Sequence, residues 1–208
     1  MAASLTSTDL TLGNTSGASI PGTPLAGQTV LYPKDDKLLY YKDDAGVERS
    51  ANINLGTAVA TTSGTAIDFT GIPAGVKRVS MMLAGVSVNG TSSLLVQIGT
   101  SGGIQTSGYV STYSYTGPSV NGFQTTIGFG SYSDSASAEH HGTFTLSLEE
   151  VSNGSWTFIG GTARQTDAHH SISSGGRVLS GTLDRIRLTT INGTDAFDAG
   201  SASISWEF

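Results

Sequence analysis

The chain has 208 residues, a net charge of −6, 12% charged side chains and no cysteine. Its ten Lys and Arg form no basic patch, which excludes the counterion-releasing face of a nucleic-acid binder and speaks against anionic membrane surfaces. Disulfides and thiolate metal sites are excluded outright, and the Ser, Thr, Gly and Asn that make up the polar bulk suit strand faces and tight turns rather than long helices.

In chain order, the leading stretch MAASLTSTDLTLGN has neither a basic n-region nor an apolar h-region and does not read as a secretory leader. Residues 34–49, KDDKLLYYKDDAGVER, then concentrate nine of the 26 charged side chains. Within this region Thr29–Tyr32 and Leu38–Tyr41 read as two short strands. The Pro33–Lys37 segment between them has turn chemistry, with Pro fixing φ and Asp bonding its own backbone. A second turn is expected at Ala45–Gly46. A lone two-stranded hairpin is marginal in water, so this segment needs something to lie on. Tyr32, Leu38, Tyr40 and Tyr41 are the candidate attachment and oligomerisation residues. The expected division is 1–51 as an extended attachment segment and 52–208 as the folded body.

The body alternates with period two. Ile67 and Phe69 oppose Asp68, and Val79, Met81 and Leu83 form one face, as do Leu94, Val96 and Ile98. The same holds for Phe144, Leu146 and Leu148, for Ile186 and Leu188 against Arg185 and Arg187, and for Ala202, Ile204, Trp206 and Phe208. Such alternation marks half-buried antiparallel strands. Asn-Gly pairs at 89–90, 121–122, 153–154 and 192–193 supply the positive φ of hairpin turns. Roughly eight to ten strands in two packed sheets are expected, a jelly-roll-like antiparallel β-sandwich. From Val79 to Ser133 no Asp, Glu, Lys or Arg occurs. Gly, Ser, Thr and Asn interrupt this stretch before any ~18-residue apolar run accumulates, so no membrane insertion is expected. Its uncharged, hydroxyl-rich surface suits carbohydrate or protein contact.

No catalytic constellation emerges, and an enzyme is not expected. Gly99-Thr100-Ser101-Gly102-Gly103 matches G-x-S-x-G formally, but the helix required after the serine is missing from the pattern. Glu149 and Glu150 are adjacent on a strand, so they face opposite ways and cannot flank one glycosidic bond. The same argument splits the pairs His140-His141 and His169-His170, so neither chelates as a unit; one His per chain repeated around a three-fold axis stays open as a metal site, exposed loop histidines are the favoured reading, and no metal or cofactor is expected. Asp35-Asp36 and Asp43-Asp44 lack the ligand spacing of a calcium loop and read as turns. Tyr109, Tyr113 and Tyr115 share a strand face, with Tyr132 further on; these four are the candidate receptor or glycan contacts. The 107–122 segment is the first choice for a recognition surface, and loop 131–142 the second.

LYPKDDKLLYYKDDAGVE (31–48) resembles a linker common near the N-termini of bacteriophage fibre and virion proteins. SGTAIDFTGIPAGVKRVSMMLAGVSVNGTSSLLVQIGTSGGIQTSGY (63–109) and LDRIRLTTINGTDAFDAGSASISWEF (183–208) are similar to the opening and close of a domain recurring in phage tail-fibre and head-fibre proteins. The resemblance implies a virion structural protein: a short homotrimeric tail fibre, tip or receptor-binding knob, or alternatively a capsid fibre or decoration protein. Its partners would be sister chains, other virion proteins through the N-terminal segment, and a host-surface glycan or protein. Its place would be on the particle. A free carbohydrate-binding module of jelly-roll type is the competing reading, resting on the neutral polar surface and the tyrosines.

Overall fold

A computed structural model describes residues 21–34, 38–51, 53–117, 120–165 and 169–208. Every regular element among them is a β-strand, and the chain divides into two compact units at Asn54–Leu55. The leading stretch 1–20 and the Asp35-Asp36 pair lie outside the described residues.

The first unit is a three-stranded antiparallel sheet of β1 (Val30–Pro33), β2 (Leu39–Lys42) and β3 (Glu48–Ser50), in that order. The lone hairpin expected from sequence is thus corrected: the second turn leads into a further strand. Asp43 builds that turn, its Oδ1 accepting from the amides of Ala45 and Val47 at 3.1 and 2.8 Å, while Gly46 takes φ +76°. Its Oδ2 accepts from Arg49 at 2.7 Å, and the Arg49 hydrogen bond is the main reason its carboxyl lies below the usual range. A third strand gives the unit a face of its own, so the need for an outside support no longer follows from strand number.

The body holds β5 (Val59–Ala60), β6 (Ile67–Thr70), β7 (Arg78–Val88), β8 (Leu94–Thr100), β9 (Gly103–Ile104), β10 (Val110–Thr116) and β11 (Val120–Thr125). It continues with β12 (Phe129–Ser131), β13 (His140–Glu150), β14 (Ser155–Arg164), β15 (His170–Val178), β16 (Arg185–Thr190) and β17 (Phe197–Glu207). The two-residue β4 (Asn54–Leu55) straddles the division between the units. The long sheet runs β11-β10-β15-β14-β13-β7-β17, with β5 also on β17; the short sheet runs β12-β8-β16-β6, with β9 on β8. All pairings are antiparallel.

This is the expected antiparallel sandwich. Val79, Met81, Leu83, Phe144, Leu146 and Ile204 of the long sheet meet Ile67, Phe69, Leu94, Val96, Ile98, Ile186 and Leu188 of the short one in one apolar core. The alternation seen in the sequence is the inner face of these strands. β8 differs: Leu94 to Gly99 are buried on both faces. Gln97 Nε2 donates to Ile127 O at 2.8 Å, and Gly128 lies so close to Leu95 that an added Cβ would sit 2.6 Å from its Cγ. The loop before β12 therefore covers the outer face of β8.

The strand number agrees with the expectation, and turn use is the main departure. Ten strands of four or more residues fall in the body, with three shorter pieces besides. Of the four Asn-Gly pairs, only Asn153-Gly154 closes a hairpin, between β13 and β14, with Gly154 at φ +66°. Asn89-Gly90 and Asn192-Gly193 join β7 to β8 and β16 to β17, connections that cross from one sheet to the other, and Asn121-Gly122 lies inside β11. Sheet-crossing connections of this kind give the sandwich its jelly-roll character, whereas β13-β14-β15 form a simple meander.

Candidate functional site

Where the long sheet reaches its β10–β11 edge, its inner face loses apolar aliphatic residues and gains aromatic and hydroxyl ones. Cross-strand register places Tyr113 opposite Phe123 and Tyr115 opposite Asn121, on the odd-numbered face. Edge strand β12 of the short sheet lies over β10 and β15, and Tyr132 follows it directly. The Tyr132 ring stacks on Tyr115 at 4.0 Å between centroids and on Phe123 at 5.3 Å. Tyr113 stacks beneath Phe123 at 5.3 Å, and the His169 ring lies 5.4 Å from Tyr115. Two glycines make room: a Cβ on Gly130 would fall 2.3 Å from the Tyr113 ring, and one on Gly117 2.2 Å from the His169 ring.

Polar groups frame these rings. Tyr132 OH donates to Asp134 Oδ2 at 2.9 Å, Arg164 Nη1 donates to Asp134 Oδ1 at 2.6 Å, and Asn121 Nδ2 donates to the Tyr115 hydroxyl at 2.8 Å. Burial opposes ionisation of Asp134, but the hydrogen bonds from Arg164 and Tyr132 outweigh it and hold the carboxyl below its usual range. Burial, reinforced by the bond to anionic Asp134, pushes the Tyr132 phenol upward, so it stays a donor at neutral pH. The Asp134 side chain remains 48% exposed although that of Arg164 is nearly sealed.

Behind the rings the interior is buried but rich in hydroxyl groups. Tyr132 N donates to Ser171 Oγ at 3.0 Å, Ser131 and Thr162 hydroxyls meet at 3.1 Å, and His140 contacts Ser133 Oγ at 3.2 Å and Thr162 Oγ1 at 3.4 Å. A hydrogen-bonded shelf of short side chains thus fixes the backbone that carries Tyr132.

The structure divides the four candidate tyrosines. Tyr109 is 2% exposed and lies in the core, its hydroxyl accepting from Ile98 N at 2.9 Å and donating to Gln105 O at 2.8 Å. Burial pushes this phenol up to about 12. Tyr113 is 5% exposed and forms the floor of the stack, and burial raises its phenol as well. Neither can touch a receptor, so both are corrected to structural roles. Tyr115 and Tyr132 remain, and they are joined by Phe123, which is 37% exposed and escaped the sequence reading. Its signal was there: an aromatic directly across a strand pair from Tyr113, legible once the register is known.

The histidines separate as adjacent strand residues must. His140 is fully buried in the hydroxyl network, whereas His141 faces outward with Nε2 3.2 Å from Gln165 Oε1. His169 sits against the aromatic stack, and His170 is exposed on β15. No three metal-ligating side chains gather among the described residues. Gly99–Gly103 forms the turn between β8 and β9, with strand on both sides, and Glu149 accepts from Ser155 Oγ at 2.6 Å while Glu150 accepts from Ser152 N at 3.0 Å.

Among the attachment candidates, Tyr32 is buried and donates to Glu48, which also pairs with Lys34; burial and the Glu48 contact push its phenol up to about 12. Tyr32 is therefore a packing residue of its own unit. Tyr40 shares its row, with Lys34 Nζ 4.2 Å above the ring. The opposite row, Leu31–Tyr41–Arg49, carries the exposed Leu31, and Leu38 is exposed beside β2.

No protein-family model, no curated protein and no solved structure matches the chain.

Proposed function

We propose that the chain is a structural and adhesive component of a bacteriophage virion, a short fibre tip or receptor-binding knob whose body contacts a host-surface glycan. One observation carries the adhesive part: the Tyr115–Tyr132–Phe123 stack with Asp134 and Asn121 at its rim. Half-exposed rings offer an apolar face to the C–H face of a pyranose, and a carboxylate held ionised beside them accepts from neighbouring sugar hydroxyls. The serine and histidine behind the rings, Ser133 and His140, are buried away from this surface, so the reading is one of binding. The particle assignment rests on the sequence resemblance. It is supported by the separate first unit with its exposed Leu31, Leu38 and Val47, which suits attachment to other virion proteins or to sister chains in a homotrimer.

Glycan-array binding of the intact protein, compared with Tyr115→Ala and Tyr132→Ala, tests the adhesive part; loss of signal in both variants is expected, and no signal from the intact protein defeats it. Deleting residues 1–54 tests the attachment part: the remaining body should stay folded and fail to decorate particles. A capsid location, in place of a tail one, would appear in images of labelled particles as label on the head.

A further inference from the structure

The body has a cavity far from the aromatic stack. The β13–β14 turn (151–154), the loop after β15 (178–183) and the loop before β7 (73–77) enclose a cavity of about 530 Å³. This lies within the range of small-molecule sites. Trp156, at the start of β14, lines it, whereas Arg164 of the aromatic site ends the same strand. Eight residue steps separate them, ~26 Å along the strand.

Three backbone hydrogen bonds preset this cavity. Leu179 N donates to Gly154 O at 3.0 Å and ties two of the loops together. Leu148 N donates to Lys77 O at 2.8 Å and Lys77 N to Glu207 O at 2.8 Å, fixing the third. Gly154 is required for the fit, since a Cβ there would lie 2.6 Å from Leu179 O. The walls are apolar through Val76, Leu148, Leu179 and Leu183.

Its polar groups sit at the mouth and in one wall. Trp156 is only 3% exposed, yet its indole N–H has no acceptor among the described residues and is not sealed from solvent. Lys77 is exposed at the rim and makes no ion pair among the described residues, and Ser152, Asn153, Ser180 and Thr182 add polar side chains. No carboxylate lines the cavity. In a chain of net charge −6, this is a cavity with a cation at its solvent-exposed rim, mixed donors and acceptors from Ser152, Asn153, Ser180 and Thr182, and an apolar floor.

We infer that this cavity is a second binding site and that it takes a carboxylate-bearing sugar, a uronic acid residue, with its carboxylate at Lys77, its ring on the apolar floor and a ring or hydroxyl oxygen accepting from the Trp156 indole. The size admits one or two pyranose rings and no folded partner. It stands independently of the glycan reading of the aromatic site, whose Asp134 would repel such a ligand.

The test uses the intact protein and free D-glucuronate, with D-glucose and acetate as controls. The chain has two tryptophans, so its indole N–H signals in a nitrogen–proton correlation spectrum are assignable with Trp206→Phe. Glucuronate should shift the Trp156 signal with a Kd of about 1 mM, glucose and acetate should leave it in place, and Lys77→Gln should weaken binding about tenfold. Trp156→Phe, which keeps an aromatic ring in the wall, should weaken it too, read from the ligand's own saturation-transfer signals. No Trp156 shift at ~20 mM glucuronate overturns the proposal. So does an equal shift from glucose or acetate, or a Lys77→Gln variant that binds like the wild type.

Discussion

The two ends of the body sandwich solve the same structural problem in different ways. Where the sheets part beside β10–β11, Tyr132 reaches across and fills the gap with stacked rings over a hydroxyl shelf. At the other end nothing fills the gap, and three loops tied by backbone hydrogen bonds leave a lined cavity. The first end offers stacked aromatic rings beside an anion, the second a lined apolar cavity beside a cation. A sheet tolerates either, because its strands are fixed by the middle of the sandwich and its ends are free to specialise.

The sharpest way to break this contrast is by stability. Trp156→Ala removes a buried ring and should cost about 3–5 kcal/mol in urea unfolding. Tyr132→Ala removes a half-exposed one and should cost about 1–2 kcal/mol. Equal losses would mean that the aromatic end is ordinary core and not a free surface.

Arg164→Ala should come next, at about 2 kcal/mol, because Asp134 remains half-exposed and regains water. Its pH dependence sharpens the picture. A carboxyl whose folded pKa is depressed adds stability above its unfolded value of about 3.9 and loses it as pH falls through the folded one. The penalty of Arg164→Ala should therefore shrink as unfolding is measured below about pH 4. A pH-independent penalty would assign Arg164 to packing alone.

A smaller effect is expected from the flank of the short sheet. Asp68 and Arg187 face each other in register, with Arg187 Nε and Nη2 donating to Asp68 Oδ1 and Oδ2, each at 2.7 Å. Both are substantially exposed, so a double-mutant cycle should give about 0.5–1 kcal/mol, falling with salt. Lys77→Gln should be nearly silent, within about 0.5 kcal/mol. A larger loss would mean that Lys77 has a structural partner and is not held for a ligand.

Strand faces were legible in the sequence because burial on one side writes itself as period two. Val79, Met81 and Leu83, or Ile186 and Leu188, are buried where that pattern puts them. Sheet membership was not legible: Asn-Gly signals a tight reversal, yet two of the four pairs carry the chain from one sheet to the other. Tyr109 and Tyr113 look like Tyr115 in sequence; only the backbone of Ile98 and Gln105, which satisfies the Tyr109 hydroxyl, makes burial of that ring affordable. Phe123 was hidden by the unknown register of β10 and β11. The cavity had no motif at all, being assembled from three loops spread over residues 73–183.

The double coverage of β8 has a consequence for motion. Its amides, paired to β16 and β12 and shielded on both faces, can exchange with solvent only when the whole body opens. Amides of β11, on a sheet edge and largely exposed, are released by local fraying. Deuterium uptake should therefore run as a gradient from the aromatic rim inward, with Val96 and Ile98 among the last to label, the rim loosening while its foundation stays still.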